Sequence, residues 1–199
     1  MSKKESTLFN MVLTLVVITL ISGFLLGYVN QITMGPKEKV QKERKIQALK
    51  NVLPSFDNDI MKDVIWIKYP NSNDSTEIYK AYKNNEIQAF ALTGISEKGF
   101  NGTVKTMIGF NPDGSIINIV VLDQKETPGL GTKMKDEKFL KQFLNKNPTN
   151  FNLKVKKDGG QVDALTGATI SSRAFTETIQ SSFQLLQANK EKLLIQKPN

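Results

Sequence analysis

The stretch DALTGATISS, residues 163–172, stands directly before the last long segment with helical periodicity, residues 171–195. One interpretation is a helix N-cap, in which the hydroxyl of Thr169 or Ser171 accepts a backbone hydrogen bond. The other is a ligand site, because the free amides and positive dipole end of a helix start stabilise a phosphate. The small residues of the stretch leave room for a bulky group, and a threonine hydroxyl there can be esterified to a phosphate.

A second glycine-containing loop, ETPGLGT at residues 126–132, follows a predicted strand. Pro-Gly is ordinary turn chemistry, so a simple turn is one interpretation. Neither loop continues into the Gly-Lys-Ser/Thr of a nucleotide-hydrolase phosphate loop, and neither has the three-glycine spacing of a dinucleotide site. If the helix start holds a cofactor phosphate, we expect the cofactor ring to lie against this loop. Leu130 would then offer an apolar contact and Thr127 a hydrogen bond.

The chain contains no cysteine and no histidine. This excludes thiolate metal clusters, c-type haem attachment, His-ligated haem, thiol nucleophiles and Ser-His-Asp hydrolysis. Redox chemistry remains open when a bound cofactor supplies it. The formal net charge of +8 comes from lysines scattered over strands and helix faces without interleaved aromatic residues. That distribution argues against nucleic-acid binding.

Apolar patterns predict an α+β fold, with a mainly antiparallel sheet and flanking helices. Residues 83–86, Lys-Asn-Asn-Glu, and residues 111–115, which contain Asp113-Gly114, are the expected hairpin turns. The predicted strands cover residues 64–67, 78–82, 87–92, 104–110, 116–122 and 151–155. The predicted helices of the soluble part cover residues 36–53, 135–144 and 171–195.

An N-terminal membrane anchor is predicted, because residues 6–36 carry no charge and residues 8–28 are rich in Leu, Val and Ile. About 20 apolar residues span a bilayer core. The apolar core is longer than that of a signal peptide and no small-residue cleavage site follows, so we expect one uncleaved span. Lys3 and Lys4 precede the span, and a larger group of basic residues follows it. The positive-inside rule by itself would therefore place the main domain in the cytoplasm.

The two loops, in this order and spacing, resemble the FMN-binding domain of the G subunit of the Rnf electron-transport complex. The C subunit of sodium-pumping NADH:quinone reductase shares that domain. The resemblance covers nearly the whole chain, and it implies that FMN is attached to Thr169 through a phosphoester. A dedicated FMN transferase, with FAD as donor and a need for magnesium, would make this bond. The residues implied to bind FMN are Thr169, Thr166, Gly167, Ala168, Glu126, Thr127, Gly129 and Leu130.

Further roles follow from this resemblance. Arg173 and Lys133 are additional candidates for phosphate or ring contacts, and Asp163 is expected to orient its loop. Many relatives carry histidine two residues before the loop glutamate, where this chain has Gln124. Any proton-transfer or ring-contact role of that histidine is therefore absent or altered here. No metal ligand is expected in the chain.

The resemblance implies a membrane-anchored flavoprotein subunit that relays electrons and is not a complete enzyme alone. The whole complex would couple electron transfer between reduced ferredoxin and NAD to sodium or proton movement, with other membrane subunits as partners. The expected organisation is a tail and transmembrane helix in residues 1–30, a helical stalk in 31–60 and the FMN-binding domain in 61–199. The flavin domain is expected outside the cytoplasmic membrane, against the charge rule, because that rule is statistical and the N-terminal tail is short.

Three alternatives remain open. The first is a C-type subunit of sodium-translocating NADH:quinone reductase, because the two subunit families share these loops. The second is a stand-alone membrane-tethered flavoprotein that passes electrons to an extracellular acceptor. The third is a non-redox sensor or assembly protein, in which the two loops are only a turn and a helix cap.

Overall fold

A single helix, α1, runs over Leu8–Val52 and joins the two helical segments predicted near the N-terminus. The computed structural model describes residues 7–68 and 75–195. The chain divides into two units, Met1–Arg44 and Lys45–Asn199. Pro36 lies inside α1. Because proline lacks an amide hydrogen, the helix has one backbone hydrogen bond fewer there but does not end.

The first unit carries the apolar part of α1. Among the described residues, this helix is long and apolar enough to cross a membrane, judged by length and composition. The hydroxyls of Thr14 and Thr19 donate to the carbonyls of Asn10 and Leu15, at 2.7 and 2.9 Å. Since a bilayer core offers no water, polar groups must be satisfied within the segment in this way. The helix therefore meets the requirements of the predicted membrane anchor.

The second unit contains a five-stranded antiparallel sheet in which the spatial order of the strands follows the chain. This arrangement confirms the predicted α+β fold. The strands are β1 (Val64–Lys68), β2 (Ser75–Lys83), β3 (Glu86–Gly99), β4 (Gly102–Phe110) and β5 (Ile116–Asp123).

The turns between strands follow from local sequence. Asn84 and Asn85 have φ of 52° and 67° between β2 and β3, as a two-residue hairpin turn requires. In the β4–β5 turn, the backbone amide and hydroxyl of Ser115 donate to Asp113 at 2.8 and 2.7 Å, and these bonds lower the pKa of Asp113. Both predicted hairpins are confirmed.

The two faces of the sheet are covered by different helices. Helix α3 (Thr169–Ile195) packs on β3 and β4. Its Phe175 ring lies 5.1 and 5.3 Å from the rings of Phe139 and Phe143, centroid to centroid. The opposite face is covered by the end of α1, whose Leu49 is fully buried. The sheet thus holds the start of α3 at a fixed place beside the β3–β4 turn and the end of β5.

The end of α1 is also tied to β2 by polar contacts. The Lys45 ammonium pairs with the Glu77 carboxylate, which also accepts a hydrogen bond of 2.6 Å from the Tyr79 hydroxyl. Burial and this hydrogen bond raise the pKa of Tyr79. The segment from Lys45 onward, the later part of the predicted stalk, therefore packs within the second unit.

The predicted helix over residues 135–144 is wrong in its extent. Only Glu137–Leu140 forms an α-helix, α2, and a 3-10 turn precedes it over Gly131–Lys135. The amide of Phe143 bonds to the carbonyl of Leu140, three residues back. The backbone therefore forms a tighter turn of the 3-10 type and does not continue the α-helix. Asn145, with φ of 61°, then reverses its direction.

The predicted strand over residues 151–155 is wrong. Val155 makes only an isolated bridge to Val162. The amide of Gln161 bonds to the carbonyl of Asn152, and the amide of Lys156 bonds to the carbonyl of Val162. These bonds close a compact loop around a 3-10 turn, Lys156–Asp158. The backbone groups that a strand would offer to the sheet are used locally.

Candidate functional site

A cleft of about 350 Å³ opens where the loop after β5 meets the first turn of α3. Clefts that bind cofactors begin at about this size. Its lining combines apolar side chains with hydroxyls, one carboxylate and one ammonium. The lining residues are Phe100, Glu126, Thr127, Leu130, Gly131, Lys157, Gly167, Ala168, Thr169, Ile170 and Ser171.

One buried carboxylate, that of Glu126, joins three segments around this cleft. Its Oε2 accepts a hydrogen bond of 2.6 Å from the Ser171 hydroxyl in α3. Its Oε1 accepts a longer bond of 3.3 Å from the amide of Asn101 in the β3–β4 turn. Glu126 itself is 4% exposed. Hydrogen bonds to a buried charged group are among the stronger ones in proteins, so this carboxylate fixes the relative positions of the three segments.

Two glycines are required by the close approach around this carboxylate. A Cβ on Gly131 would lie 2.6 Å from the Ser171 Oγ and 2.8 Å from the Glu126 Oε2. A Cβ on Gly99 would lie 2.6 Å from the Glu126 Oε1. Close packing thus explains why Gly131, in the second half of the predicted loop motif, is a glycine.

The loop over residues 126–132 is held in a tight turn that presents Leu130. The carbonyl of Thr127 accepts hydrogen bonds from the amides of Leu130 and Thr132, at 3.1 and 3.4 Å. Gly129 adopts a φ of 76°, and its amide donates to the Thr132 hydroxyl at 3.0 Å. The Leu130 side chain remains 42% exposed, at the cleft.

The loop before α3 lies directly against this first loop. Gly167 has a φ of 74°, which a glycine adopts without strain. A Cβ there would lie 3.3 Å from the Leu130 Cδ2. The structure therefore brings the two predicted loops, residues 126–132 and 163–172, together at the cleft.

The start of α3 leaves the Thr169 hydroxyl available. The first hydrogen bond of the helix runs from the Ser172 amide to the Ala168 carbonyl at 3.0 Å, so the amides of residues 169–171 precede the helical ladder. The predicted cap by Thr169 or Ser171 is wrong. Ser171 donates to Glu126, and it is the Ser172 hydroxyl that accepts a hydrogen bond of 2.9 Å from the Leu165 amide. In the described part of the chain, the Thr169 hydroxyl has no hydrogen-bond partner.

Most of the predicted site residues meet at this cleft. Those that line it are Glu126, Thr127, Leu130, Gly167, Ala168 and Thr169. Thr166 and Gly129 belong to the same two loops but do not line the cleft. Glu126 is present, but its carboxylate is directed to Ser171 and Asn101, which makes it a positioning group.

Several lining residues were not predicted. Phe100 is 65% exposed in the turn between Gly99 and Gly102. The sequence feature that could have identified it is an aromatic residue in a turn between two glycines. Ile170 and Ser171 lie in the first turn of α3, and Gly131 lies in the first loop. Lys157 had no distinguishing signal, because it stands in a segment predicted only to follow a strand.

The additional charged candidates lie outside the lining. Arg173 donates two hydrogen bonds of 2.7 Å to the carboxylate of Asp158, and these bonds lower the pKa of Asp158. Lys133 is exposed on the 3-10 turn after the first loop. Asp163 pairs with Lys156 at 2.7 Å, and its expected role in orienting the loop stays a prediction.

The Gln124 side chain binds the backbone of the first loop. Its Oε1 accepts a hydrogen bond of 2.6 Å from the amide of Glu126. The side chain at this position thus fixes the backbone of the residue whose carboxylate joins the three segments. Gln124 does not line the cleft.

Comparison with known proteins gives the family. A model described as an FMN-binding domain matches residues 99–184, a range that contains every residue lining the cleft. The G subunit of the ion-translocating oxidoreductase complex of Vibrio atlanticus is 30% identical over 196 residues, 94% of each chain. The G subunit of the same complex in Shewanella piezotolerans is 31% identical over 201 residues, 96% of this chain and 94% of that one.

The chain belongs to the family of G subunits of ion-translocating oxidoreductase complexes. The predicted resemblance to Rnf G subunits is thereby confirmed, and the chain has an FMN-binding domain. NqrC of Shewanella oneidensis also superposes on it, with a TM-score of 0.49 and 20% identity, over 69% of this chain and 74% of that one.

The cleft of this family member fits a flavin. Its apolar side chains, Phe100, Leu130 and Ile170, offer surface to a ring, and the Thr169 hydroxyl, without a partner in the described residues, stands at a helix start. A helix start favours a phosphate. The residues present therefore match the mixed chemistry of the cofactor.

We predict energetic coupling between Glu126 and Ser171. Glu126→Ala should lower the free energy of unfolding by about 1.5–3 kcal/mol, because buried donors lose a charged acceptor. In a double-mutant cycle with Ser171→Ala, the two changes should show a coupling energy of about 0.5–3 kcal/mol. Denaturant unfolding of the full chain in detergent, followed by circular dichroism, measures both quantities.

The matched control for this cycle is Glu97→Ala with Ser171→Ala. Glu97 is exposed on β3 and is not among the partners of Ser171. Its effect should add to that of Ser171→Ala within about 0.5 kcal/mol. Additive effects of Glu126→Ala and Ser171→Ala would contradict the assignment of Glu126 as the joining group.

Proposed function

We propose that this chain is the flavin-carrying subunit of an ion-translocating electron-transport complex of the Rnf type, with FMN joined to Thr169 by a phosphoester. The observation that carries the proposal is that Thr169 lines the cleft at the start of α3 and that its hydroxyl has no hydrogen-bond partner in the described residues. The neighbouring hydroxyls of Ser171 and Ser172 are both engaged. Among these three residues, Thr169 is thus the available point of attachment.

The attachment is a phosphoryl transfer. The Thr169 oxygen forms a bond to the phosphorus of the FMN half of FAD, while the bond from that phosphorus to the AMP oxygen breaks. AMP leaves, and the hydroxyl proton passes to a base of the transferase or to water. The exposed position of the loop before α3 suits this reaction, because a second protein must reach the hydroxyl.

The chain's residues would hold and orient the cofactor, which supplies the redox chemistry when bound. The amides of residues 169–171 would stabilise the phosphate. Leu130 would contact the ring, and the Thr127 hydroxyl, which accepts a bond of 3.3 Å from the Asn101 side chain, can donate to it. Tethering fixes the cofactor's position against a neighbouring redox centre.

A relay function suits the groups at this cleft. Glu126 is the one carboxylate among the described lining residues, and it is already hydrogen-bonded on both oxygens. The lining thus provides binding and positioning groups, and no carboxylate poised to transfer protons to a substrate. We therefore propose that the chain passes electrons to other subunits and is not a complete enzyme alone.

The proposed organisation is a single-pass protein of the cytoplasmic membrane, with residues 61–199 as the FMN-binding domain on the extracytoplasmic side. The other membrane subunits of the complex and, during maturation, an FMN transferase would be its partners. The basic residues after the span favour the opposite orientation. The orientation therefore needs a direct test.

We predict that Thr169→Ala abolishes covalent flavin. The full chain is co-expressed with an FMN transferase, separated on a denaturing gel and imaged for flavin fluorescence. The unmodified sequence should give a fluorescent band, and Thr169→Ala should give a dark one because the attacking oxygen is missing. Tandem mass spectrometry of the tryptic peptide over residues 158–173 should place the added FMN on Thr169.

The matched control is Thr149→Ala, which removes an exposed threonine hydroxyl away from both loops and should stay fluorescent. Retention of covalent flavin by Thr169→Ala would refute the attachment site. A dark band for the unmodified chain, beside a fluorescent known substrate of the transferase, would favour the sensor or assembly alternative.

The orientation can be tested by cysteine labelling, because the chain has no native cysteine. Lys133→Cys should react in intact cells with a maleimide that does not cross the cytoplasmic membrane. Lys3→Cys, on the other side of the span, should react only after the cells are opened. The reverse pattern would place the domain in the cytoplasm.

A further inference from the structure

Lys157 is the one cation among the described residues that line the cleft. It lies in the 3-10 turn Lys156–Asp158, which precedes the loop before α3. The cleft's carboxylate, Glu126, is directed to Ser171 and Asn101. In the described part of the chain, Lys157 has no ion-pair partner, so its ammonium is available to an anion in the cleft.

Both neighbours of Lys157 form ion pairs. The Lys156 ammonium pairs with Asp163 at 2.7 Å, and Asp158 accepts two hydrogen bonds of 2.7 Å from Arg173. The Val155–Val162 bridge closes the base of the same loop. Both neighbouring side chains are thus paired with groups elsewhere, while Lys157 itself is among the residues that line the cleft.

We propose that Lys157 is the counter-ion of the attached FMN, an inference that rests on the proposed function. FMN esterified to Thr169 keeps one negative charge on its phosphate. Uptake of two electrons and one proton places a further negative charge on the ring. Lys157 pairs with one of these two anionic groups, and a charge near the ring is one means by which proteins tune a flavin.

The test compares Lys157→Gln with the unmodified full chain, both loaded by the transferase and purified in detergent. If the partner is the reduced ring, loss of the cation destabilises the reduced form, and the midpoint potential in a spectroelectrochemical titration falls. If the partner is the phosphate, the phosphorus NMR resonance of the oxidised protein moves. Either result supports the proposal and identifies the partner.

Two further variants make the outcome specific. Lys157→Arg keeps the positive charge. It should therefore give the midpoint potential and the phosphorus resonance of the unmodified chain. Lys133→Gln removes an equal charge from an exposed residue outside the cleft and should leave both readouts unchanged. A Lys157→Gln protein with unchanged potential and unchanged phosphorus resonance would overturn the proposal, as would an equal change in Lys133→Gln. Failure of the unmodified chain to take flavin would instead count against the proposed function.

Discussion

The hydrogen bond between the Glu126 carboxylate and the Ser171 hydroxyl is the contact on which the site depends. It joins the loop after β5 to the first turn of α3, and the second oxygen of the same carboxylate reaches the β3–β4 turn. The glycines at positions 99 and 131 allow these segments to approach. A buried carboxylate with two donors is costly to disturb, so the cleft has a defined shape before any ligand enters.

This arrangement also decides which hydroxyl remains available. Ser171 is used by Glu126, and Ser172 supports the loop before α3, so Thr169 is left at the cleft without a partner in the described residues. Thr169, Ser171 and Ser172 all carry hydroxyl groups, but the hydrogen bonds of these hydroxyls differ because their surroundings differ. The availability of the Thr169 hydroxyl thus follows from the hydrogen bonds of its neighbours, and not from the motif's hydroxyls alone.

Local sequence predicted much of the sheet and the location of the cleft. The Asn84-Asn85 and Asp113-Gly114 pairs predicted hairpin turns because such turns need residues that adopt a positive φ. The strand expected over residues 151–155 is absent because its hydrogen bonds are made within a loop. The contacts of Glu126 and the position of Lys157 at the cleft depend on how distant segments pack together, which periodicity and turn chemistry do not encode.

A structure of the full chain carrying FMN would test the central claim most directly. We expect the flavin ring to lie in the cleft beside Leu130, with its phosphate bonded to Thr169 and with Glu126 still bound to Ser171. A ring placed away from the cleft, or a Glu126 carboxylate that has left Ser171 to bind the flavin, would contradict this claim.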